Sequence, residues 1–297
     1  MHTDVAVIGG SFAGLSAALQ LARARRTVTV LDTGEPRNRF AAASHGFLTR
    51  DGATPAAMID EARRQLAAYP TARFVAARAQ RVTGANDAFS IACDGGDELS
   101  ARRIVLAHGV VDSLPDIPGL AAEWGKRVAH CPYCHGYEFN GGALGVLANG
   151  PLAAHHAMLV REWGPVTLFL NGVLEPTSEE LEQLRARDVA IETRRVTAAV
   201  AGEDTLSIEL EGGGTIGLAG LFTQPRSRLS SDIGEKLGCD LADSPFGPIL
   251  AVDEMKQTTV PGVFAAGDAA RPAPNVPFAV ADGAMAGVAA HRSLVFA

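Results

Sequence analysis

The stretch His130-Cys131-Pro132-Tyr133-Cys134-His135-Gly136-Tyr137-Glu138 holds two of the chain's four cysteines and two of its eight histidines. Two thiols separated by two residues can close a disulfide within one turn of chain. A helix N-terminus or a cationic neighbour lowers a thiol pKa to roughly 3.5–7.5, which gives thiolate at working pH. Thiolate is the species that exchanges disulfides and gives up electrons. A histidine on each flank adds a proton acceptor whose ordinary pKa, about 6.5, lies near neutrality. Cys131, Cys134, His135 and His130 are therefore the candidate catalytic residues. Half of a zinc site and an inert thiol pair stand beside this redox reading. Zinc usually takes four ligands, and the remaining cysteines, Cys93 and Cys239, have no ligand spacing around them. No metal site is expected. Cys93 and Cys239 read as packed thiols. His155 and His156 are adjacent and so point to different helix faces, which reads as surface or core.

The elements that must carry this chemistry follow from the apolar pattern. Val5-Ala6-Val7-Ile8 suits a strand buried on both faces. Gly9-Gly10-Ser11-Phe12-Ala13-Gly14 follows, then helical spacing over 15–25 and a second strand over 27–31, closed by Asp32. A strand, a glycine turn, a helix, a strand and an acid about 20 residues on form a dinucleotide fingerprint. The glycines let main-chain N–H groups and a helix N-terminus reach a pyrophosphate. Asp32 would accept from an adenosine ribose hydroxyl. Ser11 replaces the middle glycine, a tighter fit. The polar stretch 35–52 holds Arg37, Asn38, Arg39 and His45, and loops in this place often wrap a cofactor. A helix is expected over 54–68, with Thr54 as cap and Pro55 at its first position. Short antiparallel strands are expected over 74–77, 80–82, 89–93 and 98–100, and a buried strand over 104–107 that runs into His108-Gly109.

A second unit of the same type follows the cysteines: a strand over 143–147, the turn Ala148-Asn149-Gly150-Pro151-Leu152-Ala153, a helix over 152–163 and a strand over 166–170. This fingerprint is worn. Alanine stands for the first glycine, and the strand ends in Asn171-Gly172 with no acid and no basic cluster behind it. A capped helix is expected over 177–187, strands over 189–200, 206–210 and 218–222, and a helix over 230–237. Near the end, Thr258-Thr259-Val260-Pro261-Gly262-Val263-Phe264-Ala265-Ala266-Gly267-Asp268 sets an acid at the carboxyl edge of a parallel sheet, where ligands bind in open α/β folds. Asn275-Val276 then opens a small-residue helix over 278–294, whose N-terminus favours a developing anion. The breaker-rich stretches 112–119 and 243–248 read as domain crossings. Expected domains are thus 1–113 and 245–297 as one unit, with 114–244 inserted.

Composition bounds the rest. A chain of 297 residues accommodates two domains at ~100–200 residues each. The net charge of −7 offers no attraction to nucleic acid or anionic membrane. No run approaches the ~20 apolar residues that span a bilayer. The N-terminus lacks a basic n-region and a cleavage site, so a cytoplasmic protein is expected, where a close cysteine pair is catalytic more often than structural.

The glycine loop, the mid-chain Cys-x-x-Cys and the terminal Gly-Asp landmark stand in an order that resembles the low-molecular-weight thioredoxin reductase family over essentially the whole chain. The resemblance implies an α/β fold of two Rossmann-like, three-layer ββα domains. One binds FAD and is built from both ends of the chain; the other is an inserted pyridine-nucleotide-type domain with the dithiol. It also implies a homodimer. The implied cofactor contacts are Gly9, Gly10, Ser11, Phe12, Ala13, Gly14, Asp32, Arg37, Asn38, His45, Val82, Ala107, Gly109, Gly267, Asp268, Asn275 and Val276. Cys131 takes the part of the outer, exchanging sulfur and Cys134 that of the inner one facing the flavin. His135 stands where the family carries an acid, and the worn second loop argues against NADPH. Cys-Pro-Tyr-Cys-His-Gly-Tyr-Glu is similar instead to the dithiol oxidases of the holomycin and gliotoxin type. These close disulfides in small dithiols of antibiotic biosynthesis and pass electrons from FAD to O2. His135 is then the candidate base, with His130 second. Three other readings stay open: an NADPH-dependent reductase acting on a thioredoxin-like protein, a ferredoxin-dependent one, and a redox-sensing flavoprotein without turnover.

Overall fold

The computed structural model of the chain describes residues 1–296. Its contacts divide it into two units. The first comprises Met1–Arg39, Thr54–Val111 and the chain from Ser227 onward; the second comprises Phe40–Ala53 and Asp112–Arg226. This division differs from the expected one in two places. The return crossing falls at 226/227 rather than at 243–248, and the loop 40–53 belongs with the inserted unit.

The first unit is built on a parallel sheet in which His2–Ile8 lies between Val28–Leu31 and Glu98–Leu106, with Ala72–Val75 beyond Val28–Leu31. Val5, Ala6 and Val7 are fully buried, which is why the strand is apolar without alternation. Glu98–Leu106 is one strand where two were expected. Its first half pairs antiparallel with Ala88–Cys93 (Phe89↔Ala101), and its second half pairs parallel with Val263–Ala265 (Ile104↔Val263). Ala79–Ala85 completes the hairpin. One sheet face packs Val5, Val7 and Val105 on the helices Phe12–Arg23 and Val276–Val295. The opposite face packs Ala6, Ile8 and Leu106 with Phe89 and Ile91 of the hairpin. The result is the three-layer α/β arrangement read from the sequence.

The second unit has a five-stranded parallel sheet in the order Ala190–Glu192, Val166–Phe169, Leu144–Leu147, Gly220–Thr223, Val128–Ala129. A separate antiparallel sheet joins Val196–Ala201, Leu206–Leu210 and Thr215–Leu218. The single strand expected over 189–200 is thus two strands in two sheets. Arg194 turns back on Glu192 at the break, its guanidinium and main-chain N–H both donating to that carboxylate at 2.7–3.0 Å. Helices Ala153–Val160 and Ser178–Ala186 pack Ala154, Ala157 and Leu184 against Leu144, Val146 and Leu168.

Candidate active site

Cys131 follows the edge strand Val128–Ala129, whose residues pair with Leu221 and Phe222. Its backbone is extended, with φ −112° and ψ 111°, and it caps the short helix Pro132–His135. Pro132 takes the first helical position, where its missing N–H costs nothing. Gly136 ends the turn. A Cβ there would lie 2.6 Å from the Trp163 ring and 2.7 Å from the Pro132 carbonyl oxygen, so glycine is what lets Trp163 close over the segment. Trp163 also receives Tyr133 edge-on, with centroids 5.2 Å apart. Cys131 and Cys134 are half-buried thiols that are not joined in a disulfide. A hydrogen bond from the Cys134 thiol pulls Cys131 below the ordinary thiol range. Burial opposes this, and the main-chain N–H groups of Cys134 and Tyr133 add to the lowering. Of the pair, Cys131 is the sulfur whose thiolate form is favoured.

His135 lies directly behind the pair. Both of its ring nitrogens are shut off from solvent, and neither makes a hydrogen bond of normal geometry. Burial pushes its pKa down; Glu138 raises it, His45 lowers it, and the nearby Cys131 carbonyl raises it slightly. The net result is a neutral ring at neutral pH, the form that accepts a proton. His130 is placed differently: its ring stacks on Trp124 at 5.8 Å. Its main chain is engaged by His156, a 4% exposed histidine whose pKa burial pushes down to about 4. His45 sits in a loop closed by the Ser44↔Ala53 bridge. Its Nδ1 lies 3.5 Å from Glu138 Oε1 and 3.6 Å from Asp51 Oδ1. The structure thus groups His45 with the dithiol residues of the second unit, whereas the expectation grouped it with the dinucleotide loop.

The dinucleotide loop occupies the first unit. A Cβ at Gly9 would lie 2.2 Å from the Ala107 carbonyl oxygen, one at Gly10 2.7 Å from the Asp32 Cβ, and one at Gly14 1.8 Å from the Gly9 carbonyl oxygen. Each glycine is required by a neighbour. Ser11 caps the helix Phe12–Arg23 without a side-chain bond to it, which leaves the first-turn N–H groups available to an anion. Asp32 accepts from the Gly10 N–H at 3.0 Å and from Arg63, a pairing the sequence did not announce. Asp268 accepts from Arg37 at 2.8 Å, beside Gly267 with φ 69°. Val82 is buried opposite Ile91, so its side chain belongs to the hairpin core. Asn275 caps the helix Val276–Val295. His108, next to Ala107 and Gly109, bonds the Gly109 carbonyl through Nδ1 at 3.0 Å, and its Nε2 is buried without a partner. Burial pushes its pKa down to about 4.

The family model described as pyridine nucleotide-disulphide oxidoreductase matches residues 3–285. The chain belongs to that family. Among its relatives, "Thioredoxin reductase tcpT" from Claviceps purpurea is 36% identical, covering 98% of this chain and 94% of its own length. Among solved structures, an oxidoreductase from Agrobacterium tumefaciens superposes with a TM-score of 0.96 at 51% identity, covering 100% of this chain and 99% of its own. The structure titled HlmI superposes with a TM-score of 0.91 at 39% identity, covering 99% and 93%. The protein is an oxidoreductase of the thioredoxin reductase-like kind.

Membership of the pyridine nucleotide-disulphide oxidoreductase family implies FAD, and the first unit fits it. Its loop glycines hold the turn's main chain close against Ala107, Asp32 and Gly9, a buried histidine nitrogen lacks a partner there, and Asp32 and Asp268 stand at the carboxyl ends of parallel strands. The corresponding turn of the second unit is built otherwise. The Asn149 amide donates to the Gln224 carbonyl at 2.9 Å. A Cβ at Gly150 would meet nothing within 4 Å. Asn171 spends its side chain accepting from the Val196 N–H at 2.9 Å. Among the described residues no three histidine, cysteine or acidic side chains converge as metal ligands, and no helix is long and apolar enough to cross a membrane. Cys93 and Cys239 are buried, and burial raises both thiols. Sequence reading assigned no role to Glu138, although its three-residue spacing from His135 put both on one turn, nor to His108, although it precedes a glycine at a strand end.

Proposed function

We propose that this protein is an FAD-dependent dithiol oxidase. It closes an intramolecular disulfide in a small dithiol of natural-product biosynthesis, with O2 as the final acceptor. The observation that carries the reading is the junction of Cys131, whose thiolate is favoured over the ordinary thiol's, with a His135 ring closed to solvent beside the Cys131 main chain. Thiol oxidation needs a proton acceptor at the dithiol, and a positioned base is typically worth ~10²–10⁴-fold.

The working form carries the Cys131–Cys134 disulfide. A substrate thiolate attacks Cys131 Sγ, the S–S bond breaks, and Cys134 leaves as thiolate. The second substrate thiol gives its proton to His135, attacks the first substrate sulfur and expels Cys131 as thiolate. The substrate has lost two electrons and two protons, and the two electrons rest on the cysteine pair. Bound FAD supplies the acceptor that takes this electron pair onward to O2. Cys131 suits the expelled position, because a thiol with a lowered pKa leaves faster. The roles of Cys131, Cys134 and His135, and of the glycine-loop residues toward FAD, are part of this proposal.

The second reading is an NADPH-dependent disulfide reductase, favoured by the name of the relative tcpT. Against it stand the committed Asn149 and Asn171 side chains at the second-unit turn. Anaerobic mixing separates the two. The oxidase reading expects a small dithiol to bleach the yellow flavin within turnover time while NADPH leaves it oxidised. Rapid bleaching by NADPH, with none by dithiols, would reverse the assignment.

A further inference from the structure

We infer that Trp163 is a positioning residue for the cysteine pair: its indole, set against Gly136 and the Tyr133 ring, holds the turn 132–136 in the form that brings the two sulfurs together. The inference rests on the reading of Cys131 and Cys134 as a redox pair, and it deepens that reading by one residue outside the motif.

The turn is too short to hold itself. The helix Pro132–His135 has four residues, and isolated helices shorter than ~12–15 residues are marginal in water. Two main-chain bonds close it: the Cys134 N–H donates to the Cys131 carbonyl at 3.2 Å, and the Gly136 N–H to the Pro132 carbonyl at 2.7 Å. The flanks are anchored elsewhere. Ala129 pairs with Phe222 in the sheet, and the Phe139 ring meets the Phe222 ring edge-on at 5.7 Å. Between these anchors the Trp163 indole touches the turn twice. Tyr133, 69% exposed, stands edge-on to it with centroids 5.2 Å apart. At Gly136 the indole fills the room of a side chain: an added Cβ would lie 2.6 Å from Trp163 Cδ1 and 2.7 Å from Cγ. The backbone at Gly136 is ordinary helix, φ −66° and ψ −35°, so conformation alone does not ask for glycine there.

Trp163 is itself held. It packs against the core that contains Val160 and Phe222. The next residue, Gly164, passes so near Gly142 that a Cβ would lie 2.5 Å from its carbonyl oxygen. The ring thus carries the rigidity of the sheet to the turn. A disulfide tolerates a narrow range of Cα spacing and dihedral, and closure within one chain gains from holding both groups in place. Loss of the indole frees the turn. Cys134 then spends less time within reach of Cys131, and a mixed disulfide at Cys131 is less readily reversed by closure. The same loosening weakens the hydrogen bonds that favour the Cys131 thiolate.

The test titrates the oxidised holoenzyme with a monothiol, 2-mercaptoethanol, under anaerobic conditions. The monothiolate attacks Cys131 Sγ, the Cys131–Cys134 bond breaks, and Cys134 leaves as thiolate; closure by Cys134 expels the monothiol again, with no net oxidation. Acid quenching and mass spectrometry count the mixed disulfide. Trp163→Ala is expected to open at an about tenfold lower monothiol concentration, inside the ~10²-fold that a misplacement of about 1 Å can cost. Trp163→Phe keeps a ring against Gly136 and restores most of the parent's curve. Gly136→Ala pushes a methyl into the indole and opens as easily as Trp163→Ala. In the Trp163→Ala background it adds little, because the methyl then has room. In parallel, the iodoacetamide midpoint of reduced Cys131 moves up in Trp163→Ala. A folded Trp163→Ala protein with the parent's opening curve and alkylation midpoint overturns the inference, as does a Trp163→Phe protein no better than Trp163→Ala. Urea midpoints show whether Trp163→Ala has merely unfolded. In that case Gly136→Ala decides, and a parental opening curve there overturns the inference. A parent that exchanges with the monothiol but leaves dithiols unoxidised sinks the oxidase reading, and the opening curves still decide this one.

Discussion

At the scale of single residues, the chemistry turns on which sulfur carries the charge. The largest influence on Cys131 is the hydrogen bond from the Cys134 thiol, with two main-chain N–H groups behind it. Cys134→Ala removes that donor while leaving the helix that presents Cys131. The Cys131 alkylation midpoint, followed with iodoacetamide against pH, is therefore expected to move up toward the ordinary thiol range; a midpoint at or below the parent's would show that the N–H groups alone hold the thiolate. His135 has the opposite problem, since burial removes its charge. Its lowered pKa means that activity is present at neutral pH and is lost as pH falls through a value below the usual histidine range. His135→Ala is expected to slow dithiol oxidation by ~10²–10⁴-fold and to abolish that acid limb. Survival of the limb in the variant would place the titrating base elsewhere, with His130 next in line.

At the scale of elements, close backbone approach is the recurring device. Helices Phe12–Arg23 and Val276–Val295 meet through glycines: a Cβ at Gly283 would lie 2.0 Å from the Ala13 carbonyl oxygen, and one at Gly287 2.5 Å from that of Ala17. Neither obstacle is a flexible side chain, so the helices must separate. Gly283→Ala is expected to cost about 1–3 kcal/mol, the range for overpacking, read as a fall in the urea midpoint at unchanged slope. The two glycine turns give a sharper contrast. Gly14→Ala drives a methyl into the Gly9 carbonyl and is expected to release flavin during purification. Gly150→Ala meets open space at ordinary φ and is expected to leave dithiol oxidation and stability unchanged. A Gly150→Ala protein that loses activity would restore a nucleotide to the second unit. Here also lies the border of what sequence could tell. The strand-turn-helix-strand patterns around Gly9 and Ala148 were legible, because burial on both faces and helical periodicity are local. Pairing partners were not: 98–106 is one strand serving three neighbours, and 189–200 is cut where Arg194 finds Glu192. The Cys-x-x-Cys and its flanking histidines announced a redox site, but Glu138 and His45 joined it through a contact 93 positions apart in sequence, beyond any periodic signal.

At the scale of the whole molecule, two histidines that burial holds down to about 4, His108 in the first unit and His156 in the second, shape the acid response of the fold. His156 lies in the second unit at 4% exposure and His108 in the first with a buried, unpartnered Nε2; burial holds both at about 4 against an unfolded value near 6.5. Below 6.5 the unfolded chain binds protons that the folded chain refuses. Their contribution is therefore fully present above about pH 6.5, declines as pH falls, and is exhausted near pH 4. For His156 the full effect is of order 3 kcal/mol. Carboxylates with lowered pKa, among them Asp282 between Arg271 and Lys256 and Asp4 beside Thr27, act in a different window. Their stabilisation holds above the ordinary carboxylate range and is lost only below it. Urea midpoints measured from pH 7 to pH 4.5 isolate the histidine term. The parent is expected to lose stability steadily across that interval, and His156→Phe, which keeps an aromatic ring against Phe222, is expected to flatten the slope. Its absolute stability at pH 7 reports separately on the lost bond to the His130 main chain. A slope unchanged in His156→Phe would mean that the ring takes up its proton without unfolding the segment that leads into Cys131.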